Sequence, residues 1–321
     1  YTTLNLVGNG TTSALTMKAD GAFGGITANV SGAGATTITQ LDAGTGDLIV
    51  NSSGSGAKIY SALDSTDDAT ITFSGPGNHT ITATTITDDV TLDASGLTGS
   101  FLTSDISGIG GTATVTGPAT VGFTSLKLAG TAASNAIVTL GVNGVTDQLV
   151  TGSTSAAGGI EVVNFKAGAG GDAIDLDLSG IEGVSAGTGD LTAVDLGTTS
   201  VGGTATVVVS KVTAAFNGDA LTTGTVILNV DGNFATSGML ETALESGGSR
   251  EWTLDGAIAD DDQILVSWDD GTNSYLSVLE TSATVADDAS PATGDLTATT
   301  LITFTGVADA TTLTAANFGT A

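Results

Sequence analysis

The sequence predicts an all-β protein: a β-solenoid or β-sandwich-like stack, followed by a β-rich C-terminal domain carrying one short helix. Three observations lead there. Short runs rich in Val, Ile and Thr recur along nearly the whole chain, and these residue types suit a pleated, half-buried surface. Clusters of Gly, Asn, Asp and Ser separate them, with the chemistry of turns. Helical periodicity is almost absent.

Taken in order, the strand-like runs include Leu48–Asn51, Ala69–Phe73, Thr80–Thr84, Val90–Asp93, Thr112–Thr116, Ala136–Leu140, Thr204–Val209 and Thr225–Val230. Between them the pattern Asp-x-Ser-Gly-Leu/Ile occurs at Asp93–Leu97, Asp105–Ile109 and Asp177–Ile181. It reads as a corner: Asp and Ser bond nearby backbone, Gly turns the chain, and the apolar residue returns inward. Gly-Thr-Gly-Asp-Leu echoes at Gly44–Leu48 and Gly187–Leu191. Corners at loosely repeated spacing suit a solenoid of stacked strands. The spacing is not constant, so a sandwich stays open.

Composition shifts near residue 155 and sets a boundary at Ser155–Gly159. A Thr/Gly-rich, solenoid-like assembly domain is expected over 1–155, and a calcium-binding β domain with an export-signal-like end over 156–321. In the second, Ser237–Ser246 is the helix candidate: Leu240 and Leu244 stand one turn apart, and Gly247 and Gly248 follow. Ile264–Trp268, Asp269-Asp270-Gly271 and Ser274–Leu279 read as a hairpin whose Asp-Gly pair supplies the positive φ of a tight turn.

Charge and composition remove several classes of function. The 321 residues hold 34 acidic and 6 basic side chains, a net charge of −28. Such a chain cannot neutralise a row of phosphates, so nucleic acid is not expected as a partner. An anionic membrane surface is disfavoured by the same sign, and no apolar run is long enough for a membrane-spanning helix. Cysteine is absent and His79 is the single histidine. Disulfides, thiolate sites and cysteine nucleophiles therefore fall away, as do most zinc sites and most imidazole acid–base chemistry. His79 lies in the turn sequence Ser74–His79 and reads as structural. No enzyme is expected. Disorder is disfavoured as well, because 40% of residues are apolar and only 3 are proline.

Carboxylate chemistry remains. Ala167–Asp175 fits the calcium nonapeptide Gly-Gly-x-Gly-x-Asp-x-apolar-x, with Ala167 in place of the first glycine. In that design Gly168 and Gly170 let carbonyls turn toward a cation, Asp172 completes an all-oxygen shell, and Ile174 points inward. Asp172, Asp175 and Asp177 form a tight acidic group that repels itself unless a cation or solvent intervenes. The runs Asp260-Asp261-Asp262, Asp269-Asp270, Asp67-Asp68 and Asp88-Asp89 raise the same point. Singly each reads as a solvated loop; together, on so acidic a chain, they imply bound Ca2+. The candidate ligands are Gly168, Gly170, Asp172, Asp175, Asp177, Asp260, Asp262, Asp269 and Asp270. Thr-x-Thr pairs such as Thr70/Thr72 and Thr112/Thr114 would suit an ice-binding face only in register at a fixed period, and strand propensity accounts for them instead.

The stretch Val162–Gly168 with Asp172–Ile181 resembles the C-terminal part of repeats-in-toxin proteins exported by type I secretion. Ile264–Leu276 and Ile302–Phe318 share that resemblance, which covers about residues 160–321. The first half, with Asp93–Gly99, is similar to S-layer proteins of Gram-negative bacteria. This resemblance implies an uncleaved C-terminal export signal, calcium-dependent folding outside the cell and assembly into a surface lattice. Only one nonapeptide is recognisable. The expectation is a secreted structural subunit of a calcium-stabilised S-layer or surface filament on the cell exterior. Its partner is itself, through strand edges and cation-bridged carboxylates. The alternative is a secreted calcium-dependent adhesin module, with cell-surface polysaccharide as a partner.

Overall fold

A computed structural model describes residues 2–8, 12–19, 24–99, 102–128, 135–142, 144–153, 159–177, 208–217, 225–253, 263–286 and 288–318. It divides into two compact units: Tyr1–Gly152 with Ile160–Asn164, and Ser153–Gly159 with Phe165–Ala321.

The first unit is a parallel β-solenoid. One face stacks Thr2–Val7, Ile26–Ser31, Leu48–Ser52, Ala69–Gly75, Val90–Leu97, Ala113–Thr116, Ala136–Thr139 and Ile160–Val163, all parallel. A second face stacks Thr36–Asp42, Lys58–Tyr60, His79–Ile81, Leu102–Asp105 and Phe123–Lys127. In the middle turns a short third strand, Leu63–Ser65 or Thr84–Ile86, completes the circuit. Partners in adjacent turns lie 21 to 24 residues apart. The alternation read from the sequence sends Ala28, Val50, Ile71, Leu92, Val115 and Val138 into the core, where each is at most 1% exposed.

Parallel stacking puts like residues over like. On the outer surface Asn29 donates to Asn5 at 2.8 Å and Asn51 to Asn29 at 2.9 Å, forming an amide ladder. Thr70, Thr91 and Thr114 also stand in one column. The threonines are thus in register despite the uneven spacing, because turns of different length differ at their corners and not along the strands. Asp93–Leu97 shows how: one extra residue before Gly96 makes a bulge in the pairing with Ala69–Gly75. As expected of that repeat, Asp93 accepts from the Ser95 N–H at 2.9 Å, Asp105 from the Ser107 N–H at 3.0 Å, and Leu97 and Ile109 turn inward.

One corner is made of stacked glycines. Gly8, Gly32 and Gly54 lie over one another, as do Gly34, Gly56 and Gly77. Gly54 has φ +98, and a Cβ there would strike the carbonyl oxygen of Gly32. Two constraints, left-handed backbone and no room, both demand glycine.

In the second unit Val208–Val212, Thr225–Asn233 and Gln263–Asp269 run parallel. Gln263–Asp269, Ser274–Thr281 and Leu296–Thr305 then form an antiparallel meander. The predicted hairpin is present, with Gly271 at φ 84 and Trp268 stacked on Tyr275 at 4.3 Å. The helix spans Ser237–Leu244, shorter than predicted, capped by Thr236 and burying Leu240 and Leu244. Glu245, 3% exposed, accepts from the Gly294 N–H at 2.7 Å, and Glu241 accepts from the Ala298 N–H at 2.8 Å. These carboxylates occupy backbone donors beside and within Leu296–Thr305 that would otherwise be open to another strand.

Candidate metal centre

The predicted nonapeptide lies in the second unit, between Phe165 and the strand Ala173–Asp177. Gly168 and Gly170 adopt φ 88 and 73, as a tight glycine loop requires. Asp172 is 2% exposed, and its carboxylate accepts from the Lys166 N–H at 2.7 Å while its own N–H donates to the Lys166 carbonyl at 2.8 Å. The centre of the loop holds an amide. Asn317 Nδ2 donates to the carbonyls of Asp172, Gly168 and Lys166 at 2.8, 3.3 and 3.5 Å. Its Oδ1 accepts from the Gly168 N–H at 2.8 Å and the Thr314 N–H at 3.0 Å. The Gly170 carbonyl accepts from Lys166 Nζ at 3.2 Å. Oxygens that the sequence assigned to a cation therefore face N–H donors. Ile174 is fully buried, so Asp175 lies on the opposite face of its strand; the side chain of Asp177 is outside the described residues.

Of the remaining predicted ligands, the described pair Asp269 and Asp270 sits at the hairpin turn. Asp260 and Asp262 lie outside the described residues. Asp269, 6% exposed, accepts from the N–H groups of Gly271 and Ala310, each at 3.0 Å. Burial pushes its carboxyl above the usual range, against those two hydrogen bonds. Asp270 accepts from the N–H groups of Thr272 and Asn273 at 2.8 and 2.7 Å, and from the Tyr275 hydroxyl at 2.6 Å. The hairpin carboxylates thus cap their own turn.

A different acidic group comes together in the solenoid. Carboxylate oxygens of Asp67, Asp68 and Asp88 lie within 4.8 Å of one another, a set that could hold a metal ion. Asp67 is half-buried and the other two are exposed. They meet because the corners at Asp67-Asp68 and Asp88-Asp89 belong to successive turns. Asp68 accepts from the Asp89 N–H at 3.3 Å, and Asp89 from the Thr112 N–H at 2.7 Å. Each aspartate ties its corner to the next. Singly each pair reads as a solvated loop, and only the acidic runs together imply Ca2+, since residues 21 apart give no local sign of meeting. Three carboxylates within reach of one another suit a hard, oxygen-seeking divalent cation.

No family model, curated protein or solved structure matches the chain. The likeness that can be stated is to an architecture, a parallel β-solenoid carrying an acidic corner. Among the described residues no helix is long and apolar enough to cross a membrane.

Proposed function

We propose that the chain is a structural subunit of a secreted surface assembly, an S-layer or filament, whose stacked turns are tied by calcium at the acidic corner. The observation that carries this reading is the Asp67–Asp68–Asp88 cluster, formed by two successive turns of one solenoid. A divalent cation there would join neighbouring turns and offset part of a net charge of −28. The fold supports a scaffold role. Solenoids are quasi-one-dimensional, so each turn is held by its neighbours and the array suits an elongated building block. The type I-secretion and S-layer resemblance of the sequence adds the extracellular location and self-association, and no catalytic role is assigned.

Electron microscopy of the purified protein with calcium, and again after chelation, tests the proposal. Ordered sheets or fibres that dissolve on chelation are the expected result. A monodisperse monomer under both conditions overturns it.

A further inference from the structure

Inside the solenoid, the inward column Thr36, Lys58, His79, Leu102 runs beside the glycine corner, one residue per turn. Its polar members share one habit: each side chain donates to the glycine carbonyl two residues before it. Thr36 Oγ1 reaches Gly34 at 3.5 Å, Lys58 Nζ reaches Gly56 at 2.9 Å, and His79 Nδ1 reaches Gly77 at 2.9 Å. Lys58 Nζ also donates to the carbonyls of Gly32 and Gly34, both at 3.1 Å. Lys58 is 1% exposed, so a buried ammonium is held by carbonyl dipoles and faces no carboxylate among the described residues.

His79 is fully buried. A carbonyl can only accept, so the bond to Gly77 fixes the ring proton on Nδ1. Nε2 is then a buried lone pair with no hydrogen-bond partner. Phe73 lies against the ring at 4.7 Å and stacks in turn on Tyr60, and Lys58 pairs with His79 from the preceding turn. Leu102 faces it from the following turn, where the half-exposed Asp105 turns outward to Lys127. A protonated ring would put a second positive charge one turn from Lys58, in an apolar core.

We propose that His79 is an acid-sensitive latch: the solenoid closes around the neutral ring, and protonation opens the two turns that carry Lys58–Tyr60 and His79–Ile81. Burial, opposed by the Gly77 and Ser52 backbone and reinforced by the Lys58 charge, pushes the imidazole down to about 4 from 6.5. In the unfolded chain the ring takes its proton near 6.5, and in the folded protein only near 4. The contribution of the latch is therefore complete above the unfolded value and is lost as pH falls between the two.

Because His79 is the single histidine, its ring proton signals are unique in the NMR spectrum of the whole chain. The expected titration midpoint lies at least one unit below the free value, or the ring stays neutral until the fold is lost. A midpoint near 6.5 in the folded protein overturns the latch. His79→Leu, which extends the Leu102 column, gives an independent reading by hydrogen exchange. Wild type should lose at least tenfold protection in Lys58–Tyr60 and His79–Ile81 between pH 7 and 4.5, and the variant should not. Equal loss in both proteins overturns the proposal.

Discussion

Asn317 donates its side-chain amide to the carbonyl of Asp172 at 2.8 Å, across 145 residues of chain. The 3-10 turn Ala315–Asn317 thereby closes the glycine loop from the far end of the unit. Asn317→Ala removes both halves of the amide, leaving the Asp172 carbonyl without that donor and the Gly168 and Thr314 N–H groups without that acceptor, at a cost of about 2–4 kcal/mol. Urea unfolding measures it. Asn317→Asp should be at least as destabilising in chelator, because a carboxylate faces oxygens it cannot bond, and should regain stability when calcium is added.

Lys58 gives a second test. Lys58→Met keeps the length and apolar stem of the side chain and deletes the ammonium, leaving the carbonyls of Gly32, Gly34 and Gly56 without that donor. The expected loss is roughly 2–4 kcal/mol by denaturant titration.

The glycine corner makes a paired prediction. Gly54→Ala meets the Gly32 carbonyl and a left-handed φ together, and should cost about 2 kcal/mol or more. Gly24→Ala, where a Cβ has nothing within 4 Å, should change the midpoint of thermal unfolding little.

At the acidic corner, Asp67→Asn with Asp88→Asn should weaken calcium binding in calorimetry by at least tenfold and leave the fold intact, since these carboxylates meet at the surface. Asp172→Ala gives the contrast. It should lower stability through loss of the bond to the Lys166 N–H, with little change in the calcium isotherm.

Much of the fold was legible because strands, corners and the hairpin are local. Asp93–Leu97 and Asp105–Ile109 announce their corners by residue type, and Asp269–Gly271 its turn. The sequence does not separate a solenoid from a sandwich by a fixed period, because the turns vary in length. A clearer signal was available: Gly-x-Gly recurs at 8/10, 32/34, 54/56 and 75/77, once per turn. Two residues after the later three pairs stand Thr36, Lys58 and His79. Polar residues in an inward column contradict hydrophobic patterning, so only the carbonyls they serve explain them. Asp67, Asp68 and Asp88 were visible as runs but not as a group, because stacking creates their proximity. Asn317 carries no sequence sign of this contact, being joined to its loop by tertiary structure.

The unequal lengths of the turns have a consequence for how the chain finds itself. Identical repeats could slip by a whole turn and still stack strand on strand. Here a slipped turn would bring a bulged corner against a plain one, and would set Lys58 where its three carbonyls are not. Irregularity works as an address: every turn has one place in the stack, and the amide ladder from Asn5 to Asn51 holds three of them in step.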